Sequence, residues 1–204
     1  MVFLFIIMKV RYIINPKIPD TVSEKSYLVY SNVKSCHDWR SIASERYAFD
    51  YMGINELLYE EEHLIKLYSR KYGIKIPECI AKDPQDPGKI ISVEVKRICG
   101  NHLPCDYQGQ ERRTLRFRDK IVWPWSETVK NSLLKAHPYI INDMNVSTHH
   151  NVFIIPSSLT QRNKKRVCRK IQSSVESCYD IMPPCNHVIH VIEGGDKLFD
   201  RLLY

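Results

Sequence analysis

Two glutamates and a lysine, set on either side of a short turn, are the residues of this sequence best placed to do chemistry. Glu78 follows Pro77 at the head of an apolar stretch, and Glu94 and Lys96 flank Val95 at the end of the Val/Ile-rich run 89–97. Between them lies Asp83-Pro84-Gln85-Asp86-Pro87-Gly88, turn chemistry that makes the two stretches the arms of a hairpin. A turn centred on Asp86 pairs Glu78 with Glu94, with Cβ atoms roughly 4.5 to 5.5 Å apart. Side chains alternate along a strand, so Lys96 shares the face of Glu94 while Val93 and Val95 point into the opposite layer. Facing carboxylates on an apolar strand repel one another unless a positive charge stands between them, and a hard oxygen-seeking cation such as Mg²⁺ answers that need. Lys96 would neutralise part of the cluster, or, with its pKa lowered by desolvation, position and polarise a water.

A third acid comes from the segment before the hairpin. Its periodicity predicts a helix over 55–72, capped at Gly73. Leu58, Ile65, Tyr68 and Tyr72 fall within roughly 40° of one line on that helix, and Glu61 about 20° from it. Glu61 is then either an acid delivered to the hairpin site or a rim residue paired with a surface Lys or Arg.

The elements that must position these groups follow in order. An apolar strand spans 2–14, a Pro-containing connection 15–19, and a short helix 39–51. After the helix over 55–72 come strands at 78–82 and 89–97, a loop over 98–112, an alternating strand over 114–123 and a helix over 126–137. A strand at 151–156, a strongly basic helix over 160–178 and a strand at 187–193 complete the chain. This is an α/β pattern: a layered αβ domain with a central mixed sheet flanked by helices. With 204 residues, it reads as a core over 55–204 with an N-terminal extension, 1–54, packed on it.

Charge points to a partner. Residues 89–170 hold sixteen basic and six acidic side chains, whereas 1–88 hold twelve of each, so the net charge of +7 originates in the middle of the chain. Such a surplus suits a polyanion, because each neutralised phosphate releases counterions; a solvated basic face without a ligand is the alternative. Arg112, Arg113, Arg116 and Arg118 form one cluster, and Arg162, Lys164, Lys165, Arg166, Arg169 and Lys170 line the basic helix, both suited to a phosphate backbone. Trp123-Pro124-Trp125 offers either a stacking platform for bases or a buried cap on the next helix. His149, His150, His187 and His190 read as loop and strand residues without a ligand, His187 and His190 on opposite faces.

Seven cysteines without regular spacing read as reduced thiols. Cys99-x-x-His102-x-x-Cys105 offers three zinc ligands, but the fourth must come from afar and the spacing matches no common finger. The apolar run 2–7 is too short to span a bilayer, and Lys9 and Arg11 follow it where a signal peptide would have them before it. The reading is an intracellular protein of cytoplasm or nucleus, neither membrane-bound nor secreted, as monomer or homodimer.

The string Ile76-Pro77-Glu78-Cys79-Ile80, followed by Glu94-Val95-Lys96 at the end of a Val/Ile strand, resembles the PD-(D/E)XK nuclease superfamily of restriction endonucleases, Holliday-junction resolvases and viral nucleases. The resemblance implies a restriction-endonuclease-like core and hydrolysis of DNA or RNA phosphodiester bonds with Mg²⁺ or Mn²⁺. It implies Glu78 and Glu94 as catalytic metal ligands, Lys96 as the catalytic lysine, and Glu61 as the helix acid beside the metal. The superfamily normally has a strand between its first helix and the acid-bearing strand. Here either 74–76 supplies it, or the relevant helix is the earlier one, with Glu45 as its acid. A binding module of the same fold without catalysis is the alternative, since Glu stands where the family more often has Asp. A protein-interaction domain whose basic middle meets an acidic partner is a third.

Overall fold

The computed structural model describes residues 10–14, 36–68, 74–98, 116–117, 120–121 and 124–194. Strand β1 (Val10–Ile14) is followed by helix α1 (Cys36–Met52), which closes at Gly53, whose φ of 75° is the left-handed turn glycine tolerates. Then come β2 (Leu57–Glu60), α2 (Glu61–Tyr68) and the hairpin arms β3 (Cys79–Asp83) and β4 (Asp86–Arg97). A minor pair, β5 (Arg116–Phe117) and β6 (Lys120–Ile121), precedes α3 (Pro124–Leu133) and α4 (Pro138–Asp143). The described chain ends with β7 (Val146–Pro156), α5 (Gln161–Glu176), a single 3₁₀ turn and β8 (Asn186–Gly194).

Six strands form one mixed sheet in the order β1-β8-β7-β4-β3-β2. The pairs β1/β8, β8/β7 and β7/β4 are parallel, while β4/β3 and β3/β2 are antiparallel. The α/β class with a helix-flanked mixed sheet is therefore as the sequence pattern indicates. Residues 10–14 and 36–52, assigned above to an extension, supply an edge strand of this sheet and a helix covering one of its faces.

Inside the hairpin, Cys79 pairs with Val93, Ile80 with Ser92, Ala81 with Ile91 and Lys82 with Ile90. Extending that register by one residue sets Glu78 opposite Glu94. The turn itself lies at Pro84 and Gln85 rather than at Asp86, and an irregularity between Lys82 and Asp83 restores the pairing.

Two helices differ from their sequence patterns. Instead of one helix over 55–72, residues 57–60 pair with β3 and only α2 is helical. Leu64 and Tyr68 are buried and Ile65 is exposed, so the apolar stripe is rotated from the one the longer helix implies. An open edge of β3 beside Leu57 offers strand hydrogen bonds, and that tertiary pairing overrides local periodicity. The helix over 126–137 is split: α3 ends at Leu133, and Pro138 starts α4 at a position where its missing N–H costs nothing.

One face of the sheet is apolar under α1, where Ala43, Tyr47, Ala48 and Phe49 pack on Val93, Val95, Val152, Ile154 and Ile192. The other face carries two separate clusters. Under α3 and α5 lie Ile98, Phe153, Ile155, Ile189 and Val191, while α2 and α4 enclose Leu64, Ile80, Ile140 and Val146. No helix among the described residues is long and apolar enough to cross a membrane. Phe153 is fully buried in the larger of the two clusters. Phe153→Ala is expected to lower unfolding free energy by about 3–5 kcal/mol in urea titration, while Leu67→Ala at an exposed site changes it by no more than about 0.5 kcal/mol. Equal losses would contradict this core.

Candidate active site

A polar seam separates the two clusters. Ser92, Glu94 and Lys96 of β4 lie beside His149 and Asn151 of β7 and His187 of β8, in registers that pair Ser92 with His149 and Glu94 with Asn151. Ser92 Oγ lies 2.8 Å from His149 Nδ1, and Ser132 Oγ of α3 donates to Asn151 Oδ1 at 2.9 Å.

Glu94 is the centre of the seam, with a side chain 0 % exposed. Lys96 Nζ lies 2.7 Å from its Oε1 and Lys135 Nζ 3.0 Å from the same atom. Lys96 also hydrogen-bonds this carboxylate, while its Oε2 is buried without a partner among the described residues. Glu78, its side chain 8 % exposed, accepts a hydrogen bond from Lys96 Nζ at 3.2 Å and lies 3.5 Å from Lys135 Nζ. Glu61 opens α2, with Oε1 3.9 Å from Lys135 Nζ.

Three carboxylates and two ammonium groups thus converge. Glu61 enters from the exposed N-terminal turn of α2, 44 % exposed, and not from an apolar helix face as the longer helix implied. Helix α1, which carries Glu45, covers the sheet face of Val93 and Val95, opposite to that of Glu94. Lys135 is the member that sequence reasoning missed. The one signal was a lysine between buried Leu133 and buried Ala136, in a run otherwise apolar.

Burial and mutual pairing set the titration of the cluster. Burial pushes the Glu94 carboxyl up to about 7, with Glu78 adding to the rise, although Lys96 and Lys135 pull it down. Burial and then Glu78 also raise Glu61. Burial acts to lower Lys96, but the Glu94 and Glu78 carboxylates outweigh it and raise its pKa. This corrects the expectation of a lysine depressed by desolvation: Lys96 is a full ammonium at neutral pH, suited to holding charge and not to acting as a base. Among the described residues, no three His, Cys, Asp or Glu side chains are drawn together as a ready metal-ion cage; the three carboxylates are gathered around ammonium groups instead.

On α5, Arg162, Lys165 and Arg169 are exposed. With Arg166, Lys170 and Ser173 they form one open, basic side of that helix. Lys164 is corrected: it is buried and donates to Glu193 Oε2 at 2.6 Å, because its position falls on the inward side of α5 beside Val167 and Cys168. Arg112, Arg113 and Arg118 lie outside the described residues, as do Cys99, His102, Cys105, Trp123 and the side chains of Arg116 and Trp125. Cys79, Cys168, Cys178 and Cys185 are free and buried.

The histidines are strand residues, paired on opposite faces. His149 meets His187 edge-on within the seam. His150 Nδ1 lies 2.9 Å from His190 Nε2, whose Nδ1 is 3.1 Å from the Tyr51 hydroxyl.

No protein-family model, no curated protein and no solved structure matches this chain.

The buried histidines make stability depend on pH. Burial depresses all four: His149 lies well below 6.5, His187 is lowered, His150 falls to about 4 and His190 to about 3. Between those values and 6.5 the unfolded chain binds more protons than the folded one. Stability is therefore retained above pH 6.5 and lost as pH falls below it. Glu94 and Glu61, both raised on folding, work in the opposite sense, Glu94 losing stability as pH climbs from 4.5 towards about 7, but they are two groups against four. Unfolding free energy is expected to drop from pH 7 to pH 4.5, and His190→Asn to reduce that slope by about one proton. A stability that is flat over this range would mean that the histidines are not held neutral.

Proposed function

We propose that the protein is a metal-dependent nuclease that hydrolyses phosphodiester bonds of DNA or RNA, with Mg²⁺ or Mn²⁺ held by Glu78 and Glu94 and approached by Glu61. The observation that carries this reading is the fully buried Glu94 carboxylate, with the Glu78 carboxylate beside it and two ammonium groups, of Lys96 and Lys135, drawn to 2.7 and 3.0 Å from its Oε1. A buried carboxylate is costly unless opposite charge comes to it, and a metal ion can supply that charge as an ammonium does. A divalent cation there would supply Lewis acidity and an activated water. The chain's own residues supply the rest: Glu94 fixes the position from a rigid central strand, Glu78 reaches it from the neighbouring arm, and the Lys96 ammonium offsets charge on a phosphate or orients the nucleophile.

Element order supports a restriction-endonuclease-like core. Strand β2 lies between α1 and the acid-bearing arm, at 57–60 and not at the 74–76 position considered from sequence, and β3, β4, α3 and β7 follow as the PD-(D/E)XK resemblance requires. A nucleic-acid-binding module without catalysis is the second reading. It is favoured by the basic side of α5, whose side chains need no metal, and by carboxylates already partnered by lysines.

Lys96→Ala is expected to abolish Mg²⁺- or Mn²⁺-dependent cleavage while leaving calorimetric Mn²⁺ binding largely intact, because an ammonium is not a ligand; Glu94→Ala should lose both. If wild-type protein cleaves neither single-stranded, duplex nor branched DNA nor RNA in either metal, the binding-module reading replaces this one. Reversing charge at Lys165 and Arg169 together should weaken oligonucleotide binding and flatten its log-log salt dependence, by roughly one unit of slope for each phosphate no longer neutralised. An unchanged slope would assign α5 to solubility alone.

A further inference from the structure

Among the described residues, Lys135 is the one group that reaches all three carboxylates of the cluster, at 3.0 Å from Glu94, 3.5 Å from Glu78 and 3.9 Å from Glu61. Lys96 reaches Glu94 and Glu78 from the strand itself. Lys135 comes instead from the turn after α3, with Leu133 and Ala136 on either side buried and fixing the backbone. Its side chain is 20 % exposed, so the ammonium is at the mouth of the site. It stands between Glu94 and Glu78, beside the point a divalent cation bound by those two carboxylates would take.

We propose that Lys135 is the resident counter-ion of this site: its ammonium stands beside the cation position, is displaced when a divalent metal binds, and then takes a substrate phosphate as its new partner. The proposal rests on the reading of Glu78 and Glu94 as metal ligands. Mg²⁺ and Mn²⁺ draw carboxylate oxygens to roughly 2.0–2.2 Å, and an ammonium beside that point cannot keep its place. A lysine stem has four methylenes and swings by several ångströms without moving its backbone. Once displaced from the carboxylates, the ammonium has no anion beside it at the mouth of a partly buried site. A phosphate arriving beside the metal restores one. Metal and nucleic acid therefore bind with positive coupling, and Lys135 carries it, because each ligand relieves the same displaced charge and coupling between two ligands is reciprocal.

Calorimetric titration of the full chain with Mn²⁺, alone and with a phosphorothioate oligonucleotide that resists cleavage, tests this. Lys135→Met keeps the apolar stem against its neighbours and removes the charge; Lys135→Arg keeps the charge; Lys130→Gln on α3 removes a charge outside the cluster. Lys135→Met should bind Mn²⁺ roughly tenfold more tightly than wild type, a single charge being worth about the coupling seen between linked sites, and should lose the several-fold gain that the oligonucleotide gives wild type. Lys135→Arg and Lys130→Gln should stay near wild type. Thermal melts with and without Mn²⁺ give the same ranking as a metal-induced shift even where the Met variant is less stable. Mn²⁺ binding that is equal in wild type and Lys135→Met, or weaker in the variant, overturns the counter-ion role while leaving the metal site standing. No Mn²⁺ binding in wild type, Lys135→Met or Glu94→Gln overturns the metal reading and this inference with it.

Discussion

One buried carboxylate organises a whole face of the sheet. Glu94 sits on a strand flanked on both sides, in a position where apolar residues occupy the opposite face throughout. A carboxylate so placed is destabilising by several kcal/mol unless opposite charge comes to it. The surrounding structure follows from that need. Lys96 folds back along its own strand, Lys135 reaches in from the end of α3, and Ser92, His149, Asn151 and Ser132 fill the neighbouring positions where a continuous core would otherwise run. The second face is split into two apolar clusters as a result. Stability is concentrated in those clusters and in the layer under α1, with the seam as a break that packing alone would not select.

The hairpin was legible because its constraints are local. Alternation along two short arms and a proline-rich turn leave few registers, and a misplaced turn centre is absorbed by one irregularity near Lys82. The convergence of Glu78, Glu94 and Lys96 follows from the same two rules. Lys135 was not legible, since its place depends on where α3 ends against the sheet, and no periodicity in 124–136 reports that. The helix over 55–72 failed for a related reason. Residues 57–60 have a helical pattern but lie beside an open strand edge, and a pairing partner more than twenty residues away decides between the two. Lys164 shows the limit of reading a basic run by composition: six cations within nine positions of a helix cannot all face solvent, and this one turns to Glu193.

The two faces of the sheet also treat their histidines differently. His150 and His190 complete a hydrogen-bonded chain with Tyr51 beneath the end of α1, so each neutral ring has a partner. On the seam side, His187 Nδ1 and Glu94 Oε2 are buried without a partner among the described residues. Unsatisfied polar atoms in a native interior concentrate where function requires them. Both of these atoms lie on the face that carries Glu94, where the polar seam interrupts the apolar packing.

Charge counting needs the same correction before it can be read as a binding surface. The sixteen basic residues of 89–170 include Lys96 and Lys135, both directed at carboxylates, and Lys164, directed at Glu193. Those three are paired with carboxylates of the protein itself. What remains outward on the described chain is concentrated along α5, where Arg162, Lys165, Arg166, Arg169 and Lys170 share one open side. Cations at successive turns of one helix present a line of charge, and a line is complementary to a phosphate backbone in a way that the same charges scattered over a surface are not. Helix α5 also packs against α3, the helix that ends at Leu133, two residues before Lys135. The element with the strongest outward charge is thereby braced against the one that precedes the lysine set at the carboxylates.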